Sequence, residues 1–232
     1  MKTIAVFNHK GGVGKTTLTA NIGYNMAADG NRVLLADCDP QGNLSSFFGR
    51  YDMTKKSIVN GLSGERPIYR TSYKGLDIIP GNLACEGIHP EAGAVAQMLG
   101  RYQESYDICL IDCAPAYSEL TASALNAADC VLIPIRLDSF SIDGIDTAMM
   151  KIQSGKDVHI VVNGFNNSKA ARLFLAKLMT YGYPLCDSCV RFSTIVDAAN
   201  YLHKPMAKKA RFHAVTGDLR DLTKEVERYA FE

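Results

Sequence analysis

Net charge, long apolar runs and paired metal-binding cysteines are all scarce in this chain. Its 25 Lys and Arg against 24 Asp and Glu leave +1 over 232 residues. That excludes attraction of polyanions by a whole-molecule field, so any such contact has to come from local clustering. No apolar run approaches the roughly 18 residues of a membrane-spanning helix. The run from Ile4 to Phe7 is too short for the apolar core of a signal peptide and leads straight into a glycine loop. A cytoplasmic protein is expected. The seven cysteines (Cys38, Cys85, Cys109, Cys113, Cys130, Cys186 and Cys189) fit a reducing compartment. Cys186 and Cys189 have C-x-x-C spacing, but no second pair or histidine cluster completes a zinc motif, so packing is the expected role. Cys109 and Cys130 lie in strand-like runs as small core side chains. A dinucleotide fingerprint is missing as well, since G-x-G-x-x-G needs glycine where Thr17 stands.

What is present is ordinary in amount and ordered in pattern. Apolar residues make up 47% and charged residues 21%, as in a soluble globular protein. The length is near the upper size for one hydrophobic core, so residues 1–232 are expected to form a single domain. Apolar runs alternate with helical patterns, which predicts an α/β fold: a doubly wound, mostly parallel sheet with helices on both faces. Strands are expected at 3–7, 32–36, 75–79, 106–112, 130–135, 158–162 and 185–190. Helices are expected at 16–28, 57–62 and 92–102, the first ending at Gly30. Pro134 restricts the 130–135 run to an edge, or itself to the end of a strand.

The densest signal is Asn8-His9-Lys10-Gly11-Gly12-Val13-Gly14-Lys15-Thr16-Thr17, between the first apolar run and a segment with Leu18, Ile22 and Met26 at helical spacing. Glycines at a strand-to-helix turn let successive N–H groups converge on phosphate oxygens. Lys15 would reach the β- and γ-phosphates, and the Thr16 hydroxyl would ligate Mg²⁺. Asp112, closing the run 106–112, stands where such folds hold Mg²⁺ with a strand-terminal carboxylate.

The loop departs from G-x-x-x-x-G-K-[ST] at His9, where glycine is required, and carries Lys10 before a Gly-Gly pair. This resembles the deviant Walker A motif, K-G-G-x-G-K-[ST], of the ParA/MinD superfamily of ATPases. Asp37-Cys38-Asp39-Pro40-Gln41-Gly42 is similar to that superfamily's switch I, and Asp112-Cys113-Ala114-Pro115 to its D-x-x-P switch II. Gly75 to Gly81 and Asp138 to Gly144 resemble two further ParA segments. The lead-in Asn8-His9-Lys10 sits nearer the N-Q-K of ParA than the S-G-K of MinD.

The resemblance implies ATP and Mg²⁺ as ligands, with residues 10–17 around the phosphates and Thr16, Asp39 and Asp112 at the metal. It implies that Asp39 positions the attacking water, with Asp37 near the metal. Lys10 of each subunit would reach into the partner's site in an ATP-bound homodimer. Asn163 would contact the nucleobase, although an asparagine before Gly164 is equally a turn residue.

Residues 198–217 contain no acidic side chain, while Lys204, Lys208, Lys209, Arg211, His203 and His213 cluster there, with Arg191 just upstream. Such runs are usually solvated faces. The resemblance to the ParA G-K-P…K-S-R region instead implies non-specific DNA binding by Arg191, Lys204, Lys208, Lys209 and Arg211, steeply dependent on salt. The tail from Asp218 alternates acids and bases and lacks the Lys/Arg excess of a MinD membrane helix, so no membrane anchor is expected. Neither is an N-terminal helix-turn-helix extension. The expected function is a nucleoid-associated DNA-partition ATPase discharged by a ParB-like partner. The rivals are a MinD-like positioning ATPase and a metabolic ATP-dependent enzyme on the same fold.

Overall fold

The computed structural model describes residues 1–138 and 141–231. Along the chain its strands are β1 (Lys2–Val6), β2 (Val33–Cys38), β3 (Tyr69–Arg70), β4 (Leu76–Ile79), β5 (Ile108–Cys113), β6 (Cys130–Ile135), β7 (Asp157–Phe165) and β8 (Val190–Arg191). The helices in the first half are α1 (Lys15–Ala28), α2 (Asn43–Phe47), α3 (Ile58–Leu62), α4 (Ala94–Gly100) and α5 (Glu119–Ala127). Those in the second half are α6 (Ser141–Lys151), α7 (Lys169–Thr180), α8 (Thr194–Tyr201), α9 (Met206–Lys209) and α10 (Ala214–Phe231).

Among the described residues the strands form one eight-stranded sheet in the order β3-β4-β2-β5-β1-β6-β7-β8, parallel except for β3. Parallel strands are covered on both faces, which explains the unbroken apolar runs of β2, β5 and β6. Side chains alternate between the two covers. Ala5, Phe7, Leu34 and Ile111 meet α3, α4, α5 and α6 on one face. Ile4, Val6, Leu35 and Leu110 meet α1, α2 and α10 on the other. Gly23 lets α1 lie close to the sheet: a β-carbon there would be 2.7 Å from Leu35 Cδ2.

Several boundaries differ from the sequence reading. β2 runs on to Cys38, because its pairing with β5 continues through Asp37↔Asp112 and Cys38↔Cys113. β6 is an interior strand. Pro134 is tolerated because β1 leaves the ladder at Leu132, and the Pro134 carbonyl accepts from Asn8 Nδ2 at 2.8 Å. The expected strand 185–190 is reduced to a bridge at Leu185 and the short β8. The N–H groups of Asp187 and Ser188 turn instead to the Glu225 carboxylate, at 2.7 and 2.8 Å. β7 is longer than expected and carries Asn163 within it. Ser139 and Phe140, in the ParA-like segment 138–144, lie outside the described residues. No helix among the described residues is long and apolar enough to cross a membrane.

Candidate functional site

The site lies at the C-terminal ends of β1, β2 and β5, where open α/β sheets place their ligands. The loop after β1 turns into α1 through Gly12 (φ 72°) and Gly14 (φ 97°). At Gly14 the backbone needs both the left-handed conformation and the missing side chain, since a β-carbon would come within 2.1 Å of Asn163 Nδ2. Asn163 donates to the Val13 carbonyl at 2.7 Å. It therefore braces the loop and lines a crevice with Gly14, Thr17, Arg136 and Asn200.

Lys15 is buried. Its ammonium donates to the carbonyls of Asn8 (3.1 Å) and Lys10 (3.2 Å), folded back along the loop. Burial lowers its pKa, opposed by the charges of Asp112 and Asp39. The Thr16 hydroxyl donates to Asp112 Oδ2 at 2.7 Å. Asp112 Oδ1 is buried with no hydrogen-bond partner among the described residues. An anionic acceptor left this way is costly unless a ligand completes it, and a hydroxyl beside a carboxylate suits the hard, oxygen-seeking Mg²⁺.

Asp37 faces Asp112 across the ladder. Its Oδ2 accepts from Ser45 N (2.8 Å) and Ser45 Oγ (2.7 Å), and its Oδ1 from Asp39 N (3.1 Å). Burial nonetheless pushes its pKa up to about 6, and burial with the nearby Asp37 charge pushes Asp112 well above the usual carboxylate range. Asp39 is buried and accepts from Gln41 N at 2.9 Å. Three carboxylates and one ammonium thus crowd the foot of the loop, an arrangement that a cation would relieve.

Lys10 stands on the rim, half-exposed and ion-paired with Asp138. Its backbone N–H is fixed by Asn8 Oδ1 at 2.9 Å. The sequence reading missed Asn8 as the side chain that ties the loop to β6, and Ser45 as the holder of Asp37. It also missed Asn200, which donates to Thr17 Oγ1 at 3.0 Å. No spacing rule points to these contacts, which join separate elements of the fold.

Arg191 does not line the same cleft as Lys208 and Arg211. Lys208 and Arg211 line a cleft of about 490 Å³ with Tyr24, Asp29, Arg220 and Lys224. Lys204 and Lys209 are exposed. Arg191 lines the crevice beside Gly14 and Asn163 instead, and its guanidinium is held by Asp218 at 2.6 and 2.8 Å.

The AAA domain family matches residues 1–162. The chromosome partitioning protein ParA of Caulobacter vibrioides is 36% identical over 167 residues, spanning 66% of this chain and 62% of that protein. The chromosome-partitioning ATPase Soj of Treponema pallidum is 31% identical over 198 residues, 78% of each chain. The fold also matches a Cyanothece McdA–ATP complex with a TM-score of 0.88 at 18% identity, covering 98% of this chain and 96% of that one. The β1–loop–α1 geometry and these relatives agree: the chain belongs to the ParA/MinD superfamily, on the side of the ParA- and Soj-type partitioning proteins.

Proposed function

We propose that this chain is a DNA-partition ATPase, a switch set by ATP and Mg²⁺ and reset by hydrolysis. The observation that carries the reading is Asp112 Oδ1, without a partner among the described residues and beside the Thr16 hydroxyl, at the foot of a glycine loop that turns through positive φ at Gly12 and Gly14. Bound there, Mg²⁺ would offset the charge of the β- and γ-phosphates.

Lys15 exchanges its two carbonyl partners for phosphate oxygens, and Thr16 and Asp112 hold the metal with Asp39 near it. Asp39 orients the water for in-line attack. Lys10 leaves Asp138 and crosses to the phosphates of a second copy, making the homodimer dependent on nucleotide. Two copies together double the basic surface of Lys204, Lys208, Lys209 and Arg211, and strengthen non-specific DNA binding. Phosphoryl transfer depends on positioning and charge stabilisation, so turnover stays slow until a ParB-like partner completes the site. Loss of the γ-phosphate then opens the switch segments and releases DNA.

Gel retardation of non-specific DNA by the full chain tests this reading. Retardation is expected with ATP and Mg²⁺, not with ADP, and is expected to fade steeply with salt. Asp39→Ala should keep the ATP-dependent retardation while stopping phosphate release. A protein that binds ATP yet retards no DNA at low salt would remove the partition reading and leave a nucleotide-binding protein of the same fold.

A further inference from the structure

The end of the sheet opposite the phosphate loop holds a second group of donors that the nucleotide site does not use. Cys130 opens β6 and Asp157 opens β7, and the two are paired across the parallel ladder. His159 lies two residues further along β7, on the same face. One Sγ, one carboxylate oxygen and one ring nitrogen from these residues lie within 4.8 Å of one another.

The neighbourhood holds them in place. The His159 ring lies flat on Tyr229 of α10, with centroids 3.5 Å apart and planes 3° apart, and Nε2 is 3.0 Å from Asp157 Oδ2. The Tyr229 hydroxyl donates to Glu225, the carboxylate that gathers the N–H groups of Asp187 and Ser188. That turn brings the Cys186 thiol against Tyr229 and close to Cys130. The local charge favours a cation. Asp157 pairs with Cys130 across the ladder and Asp129 directly precedes Cys130, whereas the Lys156 ammonium is occupied by the carbonyls of Asn126 and Ala128.

Thiolate, imidazole and carboxylate together are a borderline-soft donor set, suited to Zn²⁺ and poorly suited to Mg²⁺ or Ca²⁺, which take oxygens. Bond lengths of about 2.0–2.3 Å place neighbouring donors of a tetrahedral zinc roughly 3.3–3.8 Å apart. The group would have to close by about an ångström, and the exposed Asp157 side chain has the room to move.

We infer that Cys130, Asp157 and His159 form a binding site for one Zn²⁺-class cation, with the fourth position filled by water. The cation would clamp β6 to β7 at the edge remote from the nucleotide and, through His159 and Tyr229, hold α10 against the sheet. The inference rests on no part of the nucleotide reading.

Titration of the full, nucleotide-free chain with Co²⁺ tests it. One equivalent is expected to produce a thiolate-to-cobalt charge-transfer band together with the visible bands of a tetrahedral ion, both removed by Zn²⁺. Cys130→Ser should abolish the charge-transfer band, and His159→Gln should weaken Co²⁺ binding by more than about tenfold. Because Cys130 is buried and its replacement could impair folding, His159→Gln, confirmed folded by circular dichroism, serves as the deciding variant. No band at one equivalent, or a band and affinity unchanged in folded His159→Gln, would overturn the site.

Discussion

At the C-terminal ends of β1, β2 and β5, Lys15, Asp37, Asp39 and Asp112 are buried together. At the N-terminal ends of the same strands, charge sits on the rim and is matched. Arg32 is bidentate with Asp107. The matched end contributes modest stability, since exposed pairs are weak. The crowded end is held in an unfavourable protonation balance by the surrounding fold. A protein concentrates desolvated charge in this way where a ligand will later neutralise it.

The largest effect that would sharpen this contrast is at Lys15. Lys15→Ala should weaken ATP binding by at least about 100-fold, the scale of a lost charge-assisted contact to phosphate. Titration with a fluorescent ATP analogue measures it, and an unchanged affinity would remove the phosphate-loop assignment. Next comes Asp112→Asn, which removes a carboxylate that burial and its neighbours disfavour. The nucleotide-free variant should be more stable to urea by on the order of 1 kcal/mol, while losing the stabilisation that ATP and Mg²⁺ give the wild type. Equal or lower stability of the nucleotide-free form would mean that the crowded end is not strained.

The smallest effect belongs to the matched end. The Arg32 guanidinium holds the Asp107 carboxyl down to about 2. A depressed carboxyl contributes stability above its unfolded value, and that contribution is lost as pH falls through the folded value. Between about pH 4 and pH 2 the wild type should therefore lose slightly more stability than Asp107→Asn. Parallel acid-unfolding curves for the two proteins would show that the rim pair contributes nothing.

The succession of strands and helices along the chain and the foot of the phosphate loop were legible because their signals are local. A strand, a glycine turn and a helix start occupy residues 3–18, and Asp112 closes an unbroken apolar run. What stayed hidden depends on loops meeting in space. Ser45 reaches Asp37 from a five-residue helix, and Gly81 donates to Ser45 Oγ at 2.9 Å from another loop. The resemblance to the ParA G-K-P…K-S-R region grouped Arg191 with Lys208 and Arg211. Asp218 takes Arg191 as a partner, and the chain folds it into the crevice beside Asn163. A count of charges along a sequence carries no information about which of them an acid neutralises across the fold.

One flank of α1 is finished by residues from far along the chain. Asn21 Oδ1 accepts from Met206 N at 2.7 Å, Asn25 Nδ2 donates to Thr223 Oγ1 at 3.1 Å, and Leu219 and Val226 of α10 belong to the same apolar cluster as Ile22 and Met26. During synthesis the phosphate-binding segment leaves the ribosome well ahead of residues 206–226, and its helix stays half-wrapped until that later stretch has emerged. Nascent chains halted before that point should offer α1 to chaperones and proteases, and be unable to hold nucleotide.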